Sequence, residues 1–457
     1  MKTKLLLPIF LFLICGFASA STTVSSVISS NQVWTPSGSP YLINSQVIIN
    51  QGVTVTIKPG VEVIASASYK LTVNGCLIAI GNKDSLVKFK ALSIVFSDTA
   101  MDYNPSTKTG CQIKYCSFDG PLSGNELTLD RTSLIVEYSH FNKINYPIGS
   151  TTSDSITLWV SHCNFTGDGF GFLIYGLKQN TSLYFTDNLI HSYGYVALAE
   201  NSIIKNNYFY GDRYYASISS FTNSKKAIIS CNYFKNGKYP YSGAIDLSSV
   251  NNYGCNFKIE NNEFDSMAIF INMPCYYYTN DTININNNNF MNYTYKAVFF
   301  NSCSSTTGTY HFSDFTSNYW NTNDTTKIKG SIMDFRTDKK IPFMIDFTSF
   351  RSSKTSNCWP SSSNDAGMIE ADIKPTTFSQ VNTRLYPNPA NNTLNVETNF
   401  NGNSQLKVID VTGQVVKTQT IQSQLSTLDI SSLKSGLYFI EITSADGRLY
   451  KSRIVHY

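Results

Sequence analysis

The chain is short of charge. Only 14% of its 457 residues are Asp, Glu, Lys or Arg, and 35 basic residues against 31 acidic ones leave a formal net charge of +4. A nucleic-acid binder would carry a basic patch and a high pI, so that class is set aside. Histidine is scarce too, five in all. There is no Gly-x-Ser-x-Gly elbow, no His-Glu-x-x-His, no phosphate loop and no dinucleotide fingerprint. Neither a Cys-x-x-Cys nor a Cys/His set with zinc spacing occurs. Beyond the N-terminus no run of 18 apolar residues exists, which excludes an integral helical membrane segment after processing. What remains is 42% hydrophobic and 14% aromatic, with 29 Tyr and 29 Phe. That is too apolar for a disordered chain. Many Tyr, Asn, Ser and Thr with few helix formers point to a secreted all-β protein.

The first twenty residues read as an export signal. A basic Met1–Lys4 precedes the apolar Leu5–Phe17, and Ala18-Ser19-Ala20 gives the small-x-small pattern of a signal-peptidase site. Cys15 raises a lipoprotein reading, but Ile14 stands where a small residue is wanted, so cleavage is expected after Ala20. Nine cysteines then remain, an odd number.

From about residue 110 a short pattern recurs: two alternating apolar residues, a small residue or Asn pair, then an aromatic. It is clear in Val136-Glu137-Tyr138-Ser139-His140-Phe141, Ile229-Ser230-Cys231-Asn232-Tyr233-Phe234, Ile259-Glu260-Asn261-Asn262-Glu263-Phe264 and Ile285 to Phe290. The anchors 118, 141, 165, 190, 209, 234, 264, 290 and 320 lie 19 to 30 residues apart, with a mean of about 25. Between them a second short strand returns, as in Val196-Ala197-Leu198, Ala244-Ile245-Asp246-Leu247 and Ala268-Ile269-Phe270-Ile271. A repeat of this length, built of short strands and Asn or Gly turns, predicts a parallel β-solenoid. Asn at one position in successive coils is expected to form an amide ladder at a corner.

These residues resemble the right-handed parallel β-helix repeat proteins. The opening (Val33-Trp34-Thr35-Pro36, Val47-Ile48-Ile49, Val53 to Val61, Leu71-Thr72-Val73) and the close (Asn318-Tyr319-Trp320, Asp334-Phe335, Ile345-Asp346-Phe347) fit as well. The resemblance covers roughly 31–350, within an expected β-helix domain of 21–350, and implies a fold more than a function, because this architecture hosts lyases, hydrolases, adhesins and plain surface proteins.

Residues 351–383 lose the period and read as a Ser-rich linker. From 384 to 457 turn signals come about every ten residues, the rhythm of a small β-sandwich. Leu385-Tyr386-Pro387-Asn388-Pro389, Val408-Ile409-Asp410-Val411-Thr412-Gly413 and Gly436-Leu437-Tyr438 closely resemble the type A C-terminal sorting domain of the type IX secretion system of Bacteroidota. That resemblance implies the type IX machinery as partner, and passage through the periplasm to the outer surface or the medium.

For the passenger, two functions stay open. The turns after the anchors carry Tyr193, Tyr195, Tyr214, Tyr215, Tyr239 and Tyr293, an edge of aromatics able to stack sugar rings, with Arg213 and Lys238 placed to hold uronate or sulfate. This supports a glycan-binding or adhesive module, the partner being a polysaccharide or a host or environmental glycan. Alternatively, Asp168 and Asp212 share one offset two coils apart, about 9.6 Å, near the upper limit for an inverting glycoside hydrolase. A lyase would use Arg213, Lys238 and Tyr214. No cofactor is called for; calcium at Asp/Asn corners is conceivable but has no loop signature. His140, His162, His191 and His311 are scattered and read as structural. Cys275 and Cys303 fall at nearly equal offsets in adjacent coils and are expected to form a disulfide.

Overall fold

The computed structural model describes residues 21–119, 125–144, 146–151, 156–167, 172–177, 180–192, 194–210, 217–219, 224–235, 243–247, 255–271, 282–293, 296–300, 311–341, 343–355, 358, 383–388, 390–398, 403–410, 414–443 and 449–457. The described residues form two compact units.

The first is a parallel β-solenoid. Its strands are two to five residues long and, as far as Val298–Phe300, fall in rotation into three sheets, of 12, 13 and 11 strands in all. Up to there the order within each sheet advances by three strands, so each coil gives one strand to each sheet; Ile332–Met333 then ends sheet 2, and His311–Asp314 pairs with Phe343–Asp346 in a two-stranded sheet. Sheet 1 holds strands such as His140–Asn142, Tyr208–Tyr210 and Glu263–Asp265. Sheet 2 holds Tyr195–Ala197, Gly243–Asp246 and Ala268–Ile271. Sheet 3 holds Thr157–Ser161, Ser182–Thr186 and Asn201–Lys205.

Period-2 alternation decides what fills the interior. The anchors face inward from sheet 1, with Phe118 opposite Phe141, Phe141 opposite Phe165, Ile190 opposite Phe209, and Phe234 opposite Phe264. Their rings stack with centroids 4.8 to 5.2 Å apart from Phe209 through Phe234 and Phe264 to Phe290, and Trp320 closes the row at 4.7 Å. Sheet 2 supplies an aliphatic row, Ile174, Val196, Ile218, Ile245, Ile269 and Val298, in register from coil to coil. Sheet 3 supplies another, Val136, Val160, Phe185, Ile204, Ile229, Ile259 and Ile285. All are essentially inaccessible to solvent. Each buried ring or branched chain contributes roughly 1.5–3 kcal/mol, which repetition multiplies.

The corner from sheet 3 to sheet 1 is Tyr115 alone in one coil and two residues in each coil from Glu137 to Asn289. The first adopts a left-handed backbone: Tyr115, Tyr138, His162, Asp187, Asn206, Cys231, Asn261, Asn287 and Ser317, with φ from 51° to 60°. Asn and Asp tolerate this conformation best. In the early coils, where Tyr115, Tyr138 and His162 occupy it, the rings stack on one another at 4.7 and 4.6 Å. The second corner residue points inward. Asn188, Asn207, Asn232, Asn262, Asn288 and Asn318 form the expected ladder, in which the backbone N–H of each donates to the side-chain oxygen of the next at 2.7–2.9 Å. The amide nitrogens donate to the same oxygens at 3.0, 2.9, 3.0, 3.0 and 3.1 Å.

Past the last ladder rung, a short helix at Thr325–Gly330 with Asp324 as its N-cap buries Ile328. The inaccessible carboxylate of Asp334 accepts from Arg336 Nε and from the Ile345 N–H. No helix among the described residues is long and apolar enough to cross a membrane.

The second unit is two small antiparallel sheets. One orders Arg384–Tyr386, Thr393–Glu397 and Leu425–Asp429; the other orders Val415–Ile421, Ser404–Ile409, Gly436–Thr443 and Leu449–His456. Leu394, Val396, Leu406, Val408, Leu428, Ile440 and Ile442 form its core. This is the sandwich that the turn rhythm predicts.

Candidate functional site

A solenoid shows its outward positions as rows along the stack, so a site is a row or a set of neighbouring rows. On sheet 3 the register puts Ile135, Trp159, Tyr184, Ile203 and Ile228 in one outward row, ended by Lys258. Each sits between inward residues, as Trp159 does between Leu158 and Val160, so the pleat itself turns it away from the core. Tyr184 is 38% exposed, and Trp159, Ile203 and Ile228 are half-buried. From Trp159 to Ile228 the row is about 14 Å long at the usual strand spacing.

Polar rows border it on both sides. Thr157, Ser182, Asn201 and Lys226 stand two residues before it, in register with one another. Glu137, Ser161, Thr186, Lys205 and Ser230 stand two residues after. Glu137 pairs with Lys114 at 2.9 Å and accepts a hydrogen bond from Ser161 Oγ at 3.4 Å. Lys205, Lys226 and Lys258 are exposed.

One end is walled by an excursion before the strand Gln112–Lys114. It is tied down by Tyr103 N–H donating to the Ser133 carbonyl at 3.0 Å and Ser133 N–H donating to Asp102 at 2.7 Å. The Tyr103 ring meets Trp159 edge-on at 5.5 Å, and Ile135 beneath is buried. Trp159 and Tyr184 lie parallel within 11°, with centroids 5.9 Å apart. That is wider than the interior stack, so the rings are displaced sideways and each keeps part of a face open.

A second aromatic cluster sits outside sheet 1. Tyr208 packs on Tyr233 at 5.1 Å with the rings tilted by 32° and lies parallel to Tyr210 at 6.4 Å, while Tyr210 stacks on His191 at 5.1 Å. Burial pushes the Tyr208 hydroxyl up to about 12, and burial with the nearby carboxylates Glu263 and Asp265 raises that of Tyr233. Here ring faces are taken up by other rings.

Of the residues expected to form the tyrosine edge, Tyr195 and Tyr293 are described. Tyr195 is half-buried on the outer side of sheet 2, opposite Ser217. Tyr293 packs against the core and donates its hydroxyl to the Trp320 carbonyl at 3.0 Å; burial raises its pKa. It lines a depression of about 430 Å³ with Asn321, Lys327 and Ser331. Tyr193, Tyr214, Tyr215, Tyr239, Asp168, Asp212, Arg213, Lys238, Cys275 and Cys303 lie outside the described residues. Among the described residues no group of three His, Cys, Asp or Glu is placed to hold a metal ion.

One carboxyl stands out. Glu126 alternates with the inward Leu127 and Leu129 on sheet 2, yet it is 1% exposed and its Oε1 has no hydrogen-bond partner among the described residues. Burial, with the Asp119 carboxylate adding to it, pushes its pKa up to about 8.

The second unit settles where the protein goes. Residues 384–456 match the secretion system C-terminal sorting domain. No curated protein matches the chain. The sorting domain is the type IX kind, so the chain is handled by that machinery and is exported to the cell surface or secreted. The match leaves the solenoid outside it, and the solenoid's activity rests on its own surface.

Proposed function

We propose that the solenoid is a glycan-binding, adhesive module, made with a cleaved signal peptide at residues 1–20 and presented outside the cell by the sorting domain. The observation that carries this reading is the outward-facing pair of half-buried Trp159 and exposed Tyr184 on a strand face between two polar rows. A pyranose is amphipathic in the same way. Its C–H faces pack on indole and phenol rings while its hydroxyls reach sideways to Ser, Thr, Asn and Glu. Lys205, Lys226 and Lys258 favour a polysaccharide bearing carboxylate or sulfate groups. The Tyr103 excursion closes one end of the row, and at the other end the outward positions run on through Lys258 to Asn284.

Cleavage of the polysaccharide centred on Asp168, Asp212, Arg213 and Lys238 is the second reading. Glu126 has a pKa suited to a general acid, but at 1% exposure it touches no glycan.

The test is binding of the exported chain to a glycan array and to insoluble polysaccharides, with the products assayed for new reducing ends and unsaturated uronates. Trp159→Ala and Tyr184→Ala should each weaken binding several-fold, since a stacked ring is worth about 0.5–1.5 kcal/mol beyond its burial. Unfolding should barely shift, whereas Phe264→Ala should cost about 3–5 kcal/mol of stability. Unchanged binding by the double variant would move the site elsewhere, and new reducing ends would favour the second reading.

A further inference from the structure

The chain leaving the last coil doubles back along the solenoid. Arg351 forms the final bridge of sheet 1, beside Tyr319, and its N–H donates to the Asn318 carbonyl at 2.9 Å. From there the segment runs against the stacking direction. The Arg351 guanidinium reaches the Asn288 carbonyl at 3.4 Å. Thr355 N–H and Oγ1 donate to Asn289 Oδ1 at 3.2 and 3.3 Å, and Asn289 Nδ2 donates back to the Thr355 carbonyl at 3.3 Å. Lys354 pairs at 2.7 Å with the carboxylate of Glu263, which is 4% exposed. Cys358 then closes a disulfide with Cys231, 127 residues earlier, at the left-handed corner position of its coil. The segment therefore crosses the coils of Tyr319, Asn289 and Glu263 and is bonded covalently to a fourth.

We infer that Arg351, Lys354, Thr355 and Cys358 together form a clasp that carries tension. In a solenoid each coil touches only its neighbours, so tension on a free C-terminal coil would peel coils off one at a time, each giving way with few bonds broken. The sorting domain lies beyond Cys358, so whatever holds the chain by that end pulls on residue 358. The disulfide passes that pull to Cys231. Every coil between the two cysteines is enclosed in the covalent loop and carries no tension. This follows from the chain path and holds whether or not the surface binds a glycan.

Single-molecule pulling of the full chain by its two ends tests the clasp. The oxidised chain should unfold to a total length about 45 nm shorter than the reduced chain, because 127 residues at ~3.6 Å each stay inside the loop. The decisive reading is the number of coil-sized steps. After reduction of the folded protein, or in Cys358→Ser, additional low-force steps of about 9 nm should appear, one coil of ~25 residues at a time, from the coils after Cys231. In the oxidised chain only the coils before Cys231 should give such steps. Equal numbers of these steps in the two states would overturn the inference. Amide exchange without load is the control: the strands Asn256–Glu260, Glu263–Asp265, Thr282–Asn286, Asn289–Met291 and Phe343–Asp346 should stay protected after reduction. Their loss of protection at rest would mean that the disulfide holds the fold rather than the load, and would equally overturn it.

Discussion

Asn232 sits in the middle of the amide ladder and is 2% exposed. Its Oδ1 accepts from the N–H and Nδ2 of Asn207, both at 2.9 Å. Its Nδ2 donates to the carbonyls of Ile204 and Ser230 at 2.9 and 3.1 Å and to Asn262 Oδ1 at 3.0 Å. Asn232→Leu keeps the bulk and removes all of these. The Asn207 N–H is then left without its partner in a dry interior, while the Ile204 carbonyl keeps its place in the sheet 3 ladder. The expected cost is that of one buried orphan, about 1–3 kcal/mol. The molecule contains the design for a milder change, because Ser139 occupies the equivalent corner. Its Oγ accepts the Cys116 N–H at 3.1 Å and donates to the Glu137 carbonyl at 2.9 Å. Asn232→Ser should therefore keep a partner for the Asn207 N–H and cost clearly less than Asn232→Leu. Urea unfolding of the two variants gives the difference. Amide exchange locates it, since the Asn207 N–H should lose protection in the Leu variant and largely keep it in the Ser variant. Equal costs, or an Asn207 amide protected in both, would show that the ladder is a passive filler of the corner.

Three further outcomes are expected. Glu126 has a folded pKa of about 8 against a usual value of 4.5, so the folded state holds its proton more tightly than the unfolded chain. Its stabilising contribution is whole below about pH 4.5 and is lost as pH rises through 8, by at most about 4–5 kcal/mol. Glu126→Gln should flatten that fall in thermal unfolding between pH 5 and 9, and an unchanged slope would assign the fall to other groups. Removal of residues 384–457 should abolish export in a host with an intact type IX system; normal appearance in the medium would refute the sorting role. Disulfide mapping of the exported protein should recover a Cys231–Cys358 peptide and, from the adjacent-coil offset, a Cys275–Cys303 peptide, and alkylation of either pair without reductant would remove that bond.

The solenoid is legible because its signal is repeated. A single Ile-Glu-Asn-Asn-Glu-Phe run is weak, but nine anchors at a mean spacing of about 25 are not, and Phe118 to Trp320 do form the interior stack. Within each Asn pair the division of labour is less visible. Asn206 and Asn261 turn the chain with positive φ, while Asn207 and Asn262 carry the ladder. Both roles suit the same side chain, so composition alone does not part them. The partner of Cys231 was hidden for another reason. A solenoid period finds neighbours one coil apart, and Cys358 lies outside the period, on a segment whose path depends on Glu263 and Asn289 and not on any repeat.

The candidate site has a sequence signature of its own, and it is a broken rule. A strand with one face buried should alternate, yet Leu158-Trp159-Val160, Leu183-Tyr184-Phe185, Ser202-Ile203-Ile204 and Ala227-Ile228-Ile229 each carry an apolar residue where a polar one belongs. In one strand this reads as noise. In four consecutive coils at one register position it becomes an outward apolar row, because parallel stacking carries a position into its equivalent in the next coil. The anchor Phe cannot reveal it, since they report only the inside. Inward alternation specifies the fold, and departure from it on the outward side marks where the surface is reserved for something other than water. The turns draw the eye because their Tyr are many, but a turn varies in length from coil to coil and holds no constant register. A strand row does, and a site for an extended polymer needs that constancy.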